Sequence, residues 1–234
     1  MRVRLRFAKL GKVRWTSALD LARIWERALR RARVPVARTQ GFSPRPRVSF
    51  GLALPTGAES VAEYLDLQLE RELDPSRLPG ELSSCLPQGI DVLAAVELGP
   101  GDGSLQEEVT SCEWQLELAG PGAGALGDRV GEALGANSLP VVRQRKGRQV
   151  ADDLRPAILA LEALAGPGPI GRLRAAVATQ PRGLRPSELV AVLGDGLELV
   201  GALRTSQWIE RHGARREPIP LAGHGAPHAL ERAS

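Results

Sequence analysis

Arg38, Arg45 and Arg47 are the residues of this chain whose type and spacing best suit chemistry on an anion. They lie in or just before the stretch QGFSPRPRVSFG, residues 40–51, with no acid near them in sequence. Pro44 and Pro46 fix the backbone around Arg45, which lowers the entropy lost when a ligand is gripped. Gly41 and Gly51 allow close backbone approach. Gln40 and Ser43 add uncharged hydrogen-bonding groups. Three guanidiniums on a preset loop suit bidentate recognition of phosphate or carboxylate. The plainer alternative is a turn set by its prolines, with the arginines in water.

Other chemistry is largely missing. All three histidines, His212, His224 and His228, fall in the last 23 residues, so the predicted folded part has no imidazole for acid–base work near neutral pH. Cys85 sits on a helical pattern and Cys112 on a strand pattern, with no close metal-ligand spacing; both read as packing residues. No G-x-x-x-x-G-K-[ST] loop occurs, and GPGDGS, residues 99–104, precedes a strand rather than a helix. Asp152-Asp153 is the one carboxylate pair that could bind a cation, but Arg145, Lys146, Arg148 and Arg155 surround it and favour ordinary ion pairing. No catalytic residue, metal or cofactor is expected.

The elements that must carry the basic loop can be read from periodicity. RVRLRF alternates, with Val3, Leu5 and Phe7 toward a core and Arg2, Arg4 and Arg6 on the other side of a half-buried strand. TSALDLARIWERALRRARVP reads as a helix that Ser17 caps, with Asp20 completing an approximate capping box. Its apolar stripe is Leu21, Ile24, Trp25, Ala28, Leu29 and Ala32, and Arg23, Arg27, Arg30 and Arg31 take the opposite face. RVSFGLALP and AEYLDLQLE follow as strands, DPSRLPGELSSCLP as a short helix and GIDVLAAVEL as a strand. That is the βαββαβ order of a ferredoxin-like domain. In such a sheet the first and third strands are neighbours, which sets Arg2, Arg4 and Arg6 beside Tyr64, Asp66, Gln68 and Glu70 for cross-strand pairing.

The order recurs beyond GPGDGS, so the expected fold is α+β: two tandem ferredoxin-like domains, 1–98 and 105–211, then a disordered tail, 212–234. The basic charge is local. Residues 1–50 hold 14 Lys and Arg against two Asp and Glu, and the other 184 hold 17 against 25. A basic segment of this kind attracts phosphate backbones or an acidic partner. Aromatics are only 3%, so platforms for stacking bases are scarce. No apolar run of about 18 residues could span a membrane. MRVRLRFAKLG lacks the apolar core of an export signal, and two isolated thiols suit a reducing compartment, so a cytoplasmic protein is expected.

The segments KLGKVRWTSALDLARIWERALRRARVPVARTQGFSPRPRVSFGLALPTGAESVAEYLDLQL and LPQGIDVLAAVEL resemble a family of uncharacterised bacterial proteins encoded beside, or fused to, radical S-adenosylmethionine enzymes. The resemblance extends more loosely to RGLRPSELVAVLG. Members typically read S-H-L-D where this chain has Ser17-Ala18-Leu19-Asp20, and N-P-H-P where it has Ser43-Pro44-Arg45-Pro46. If those histidines did chemistry, this chain has lost it; if they bound phosphate, Arg45 substitutes. The resemblance implies a radical S-adenosylmethionine enzyme as partner, while this chain has no three-cysteine motif to hold a cluster. The fold order also resembles CRISPR repeat-processing RNA endonucleases, a likeness of fold alone.

The sequence thus points to a non-catalytic adaptor that binds RNA, tRNA or rRNA, and works with such an enzyme. The expected contacts are Arg23, Arg27, Arg30, Arg38, Gln40, Ser43, Arg45 and Arg47. Ser17, Asp20, Gly41, Pro44, Pro46 and Gly51 support them, with Asp20 capping the helix and holding the loop's base. One alternative is a protein–protein docking module using the same surface without RNA. Another is an enzyme that uses Asp20 or Asp152 with Arg45.

Overall fold

Phe7 and Trp25 meet edge-on, ring centres 5.0 Å apart at 66°, and the first of two units is built around that contact. The computed structural model describes residues 1–120, 123–145, 147–165, 169–211 and 213–219. Unit 1 comprises Met1–Val109 and the described residues from Ile209 onward, and unit 2 comprises Thr110–Trp208.

Unit 1 runs β1 (Arg2–Lys9), α1 (Ala18–Arg31), β2 (Val48–Phe50), β3 (Glu59–Gln68), α2 (Leu78–Ser83) and β4 (Ile90–Glu97). The strands are antiparallel in the order β4-β1-β3-β2. α1 begins at its cap: Ser17 Oγ accepts from the Asp20 N–H at 3.1 Å and donates to the Asp20 carboxylate at 2.8 Å. Its buried stripe of Leu21, Trp25 and Leu29 packs on Val3, Leu5 and Phe7 of β1 and on Leu78 and Leu82 of α2. Burying each such side chain contributes about 1.5–3 kcal/mol. Two residues past the last helical position, Arg33 turns the chain with a φ of 53°, and the Val34 N–H reaches the Leu29 carbonyl at 3.0 Å.

The other face of β1 differs from the expected open face. Arg4 and Arg6 are wholly buried. Their cross-strand neighbours are the expected ones, with Arg2, Arg4 and Arg6 opposite Gln68, Asp66 and Tyr64. Arg4 grips Asp66 through Nε at 2.7 Å and Nη2 at 2.9 Å. The unexpected part is the cover. Arg4 Nη2 also donates to the Gly103 carbonyl at 3.0 Å, and Nη1 lies 3.8 Å from Glu108, which ends the short helix α3 (Leu105–Glu108). The GPGDGS stretch is therefore pinned to unit 1, and the boundary falls at residues 109 and 110 rather than at 99–104.

Unit 2 runs β5 (Val109–Ala119), α4 (Leu126–Gly135), β6 (Pro140–Arg145), β7 (Arg148–Asp153), β8 (Ile158–Leu164), β9 (Gly171–Ala178), α5 (Pro186–Val192) and β10 (Glu198–Arg211). Its strands follow the order β10-β5-β9-β8, and β6 and β7 form a separate hairpin after the first helix. Trp114, Leu116, Val130, Leu173, Ala175 and Leu189 are buried there, and the Arg204 guanidinium lies 4.9 Å from the Trp114 ring centre. The fold is α+β. Setting the hairpin aside, each unit places its fourth strand beside its first and its third between its first and second.

The expected tail is corrected where it is described. β11 (Ala214–Arg216) pairs with Ile209–Arg211 of β10. Next along the chain, Glu217 accepts from Arg6 Nη1 at 2.8 Å and the Ile219 carbonyl accepts from it at 3.1 Å. A buried guanidinium needs such partners, so Gly213–Ile219 is held to the sheet. Residues 212 and 220–234, and with them all three histidines, lie outside the described residues. No helix among the described residues is long and apolar enough to cross a membrane.

Candidate nucleic-acid interface

The chain between α1 and β2 doubles back as a short ribbon. The Thr39 N–H bonds the Arg45 carbonyl at 2.9 Å, the Arg47 N–H bonds the Ala37 carbonyl at 2.8 Å, and the Arg45 N–H bonds Thr39 Oγ1 at 3.0 Å. Ala37 and Arg47 root the ribbon on β3 through Gln68, whose carbonyl accepts at 2.7 Å and whose N–H donates at 3.1 Å. Pro44 and Pro46 alternate with Arg45 and Arg47, whose N–H groups make these bonds, so their missing donors leave the ribbon intact. The result is an arm: a stem of residues 37–39 and 45–47, and a tip at Gln40–Pro44.

Gly41 has φ 126° with open space where a side chain would begin, so backbone conformation alone selects glycine there. Gly51 answers a close approach instead: a Cβ would stand 3.3 Å from both Leu105 Cδ1 and the Tyr64 carbonyl. Gln40 and Ser43 are exposed at the tip. Between them Phe42 has a relative exposure of 111%, beyond that of an ordinary extended residue.

Arg38 and Arg45 of the arm and Arg23, Arg30 and Arg33 on and beyond α1 line one groove of about 720 Å³. Glu26 and Glu70 are its acids, and Pro44 and Pro46 form part of its wall. Arg23 has a surface ion pair with Asp20 at 3.1 Å, a contact that contributes roughly 0–1 kcal/mol and gives way easily. Arg30, Arg33 and Arg45 have no ion pair among the described residues. Like charges held together in a concave wall concentrate a positive field.

Not every expected residue joins this groove. Arg27 is exposed on α1 outside it. Arg47 lines a separate cleft of about 510 Å³ with Arg2, Asp66, Gln68 and Gln106. Asp20 does not hold the base of the loop: its carboxylate meets Ser17 and Arg23. The Ser17 hydroxyl, and after it the Arg23 guanidinium, hold that carboxyl below its ordinary range. Arg33 lines the groove and Phe42 stands exposed at the tip of the arm, and neither was expected. Arg33 falls after the helical period ends. Phe42 was hidden by counting aromatics over the whole chain, when its setting between Gly41 and Ser43 was the informative feature.

Both carboxylates of the acid pair in unit 2 have partners. Asp152 meets Arg182 Nε at 2.6 Å, and Asp153 accepts from the Leu139 and Arg155 N–H groups at 2.7 and 3.0 Å. Those two backbone donors hold the Asp153 carboxyl below its usual range. Among the described residues, no group of three or more acids, histidines or cysteines is arranged to hold a metal ion.

Fold and site together define an α+β protein with an arginine-lined groove and a basic arm. The chain belongs to the family described as "uncharacterized protein conserved in bacteria (DUF2344)", whose model matches residues 2–186. None of the curated proteins matches it. Among solved structures it is similar to a chain of a Cbf5-Nop10-Gar1 complex, at 11% identity and a TM-score of 0.51 over 88% of this chain and 48% of that one. It also matches a chain of an archaeal box H/ACA sRNP Nop10-Cbf5 complex at 12% identity, with a TM-score of 0.45 over 88% and 47%. The chain thus spans about half the length of the structures it matches, and at this identity the likeness is one of fold.

Proposed function

We propose that unit 1 binds RNA, tRNA or rRNA, along the groove between α1 and the arm. In this reading the chain is a non-catalytic adaptor that presents the RNA to a radical S-adenosylmethionine enzyme. The observation that carries it is the convergence of Arg23, Arg30, Arg33, Arg38 and Arg45 on one groove that holds only two acids. Five guanidiniums on a helix flank and a preset ribbon match a run of phosphates, each able to take a bidentate hydrogen bond. The enzyme partner enters from the resemblance carried by the N-terminal motifs. We read the strand order of each unit as ferredoxin-like, which makes the arm an elaboration between the first helix and second strand.

The test is fluorescence anisotropy of labelled bulk tRNA over a salt series. Five phosphate contacts at about 0.7–0.9 each give an expected slope of roughly −3.5 to −4.5 in log Kobs against log salt. Absence of tRNA binding at about 0.1 M salt would overturn the reading. Capture of an acidic protein partner by the same surface under those conditions would replace it with docking.

A further inference from the structure

We propose that Phe42 is a stacking platform for one unpaired base, so that the arm selects single-stranded or looped RNA over continuous duplex. This rests on the RNA-binding reading above and names its substrate class.

A lone exposed apolar side chain is common and needs no explanation by itself. Phe42 differs in its setting. It stands at a tip where Gly41, at φ 126°, turns the chain and where Gln40, Ser43 and Pro44 are all exposed. Its exposure of 111% leaves both ring faces open. The stem beneath it carries Arg38, Arg45 and Arg47 and is tied to β3 by backbone bonds, so the ring is offered by a supported arm. Cationic rails around an isolated aromatic are the two components of single-strand recognition: the rails track the backbone while the ring stacks one base. A protein-docking anchor would ask for apolar neighbours that exclude water around it, and beside Pro44 the tip offers a glycine, an amide and a hydroxyl. The bases of a continuous duplex are already stacked on each other, so the ring gains nothing there.

The experiment measures affinity and salt slope for two RNAs of equal length, a hairpin with an unpaired loop and a blunt duplex, using wild type, Phe42→Ala and Phe42→Trp. Phe42→Ala is expected to weaken hairpin binding about five- to a hundredfold. Its salt slope should stay unchanged, because a neutral ring releases no counterions. Duplex binding should not move, and Phe42→Trp should restore the hairpin affinity. A Phe42→Ala variant that binds the hairpin like wild type overturns the inference while leaving the groove reading intact. So does a variant whose only loss is of a protein partner. Wild type that binds neither RNA overturns both.

Discussion

Arg4→Ala is expected to destabilise unit 1 by about 3–5 kcal/mol, read as a lower urea midpoint in equilibrium unfolding. The side chain is wholly buried and meets Asp66 twice, at 2.7 and 2.9 Å, and the Gly103 carbonyl at 3.0 Å. Removing it leaves the Asp66 carboxylate nearly buried, with only a longer contact to Arg2 at 3.7 Å. Glu108 keeps Arg211 at 2.6 Å and the Gly103 N–H at 2.9 Å, so the loss concentrates on Asp66. The double variant Arg4→Met with Asp66→Leu is expected to recover most of the stability, because no unpaired charge then remains to be desolvated. A single variant as stable as wild type would show that water reaches Asp66.

The second large effect is on binding. Replacing Arg38, Arg45 and Arg47 together by alanine is expected to reduce the tRNA salt slope by roughly 1.4–1.8 units, because Arg38 and Arg45 are two of the five groove contacts. Extrapolated from 1 M salt, that is about a 25- to 60-fold loss of affinity at 0.1 M. Folding should be nearly unchanged. All three side chains are exposed, and apart from one long, exposed bond from Arg38 Nη1 to the Pro44 carbonyl at 3.4 Å the ribbon is held by backbone groups and Thr39, which the substitution leaves in place. Arg47 lines a different cleft from Arg38 and Arg45, so the single variants need not share the loss equally. An unchanged slope would remove the arm from the interface.

Much of unit 1 was legible because its signals are local. Alternation in RVRLRF, the Ser17 cap and the stripe through Trp25 each depend on a few adjacent residues, and β1 and α1 follow them. The arm was legible as a stiff basic loop from Pro44 and Pro46. What stayed hidden depends on partners far along the chain. Arg6 is buried because Glu217 arrives 211 residues later, and Arg4 is covered by Gly103 and Glu108. Alternation cannot distinguish an arginine facing water from one facing a carboxylate supplied by a distant segment. For the same reason Gly213–Ile219 looked tail-like: Glu217 and the Ile219 carbonyl have their partner on the first strand. The groove was half legible. Helical spacing put Arg23, Arg27 and Arg30 on one face, but only the path of the chain after Arg33 decides which of them meets Arg38 and Arg45.

The most direct measurement is photocrosslinking of a 4-thiouridine-substituted tRNA transcript to the purified protein, with the crosslinked peptides identified by mass spectrometry. Crosslinks are expected within residues 37–47 and along the arginine-bearing flank of α1, fading as salt is raised. Crosslinks confined to unit 2, or none above the level of an acidic control protein, would contradict it.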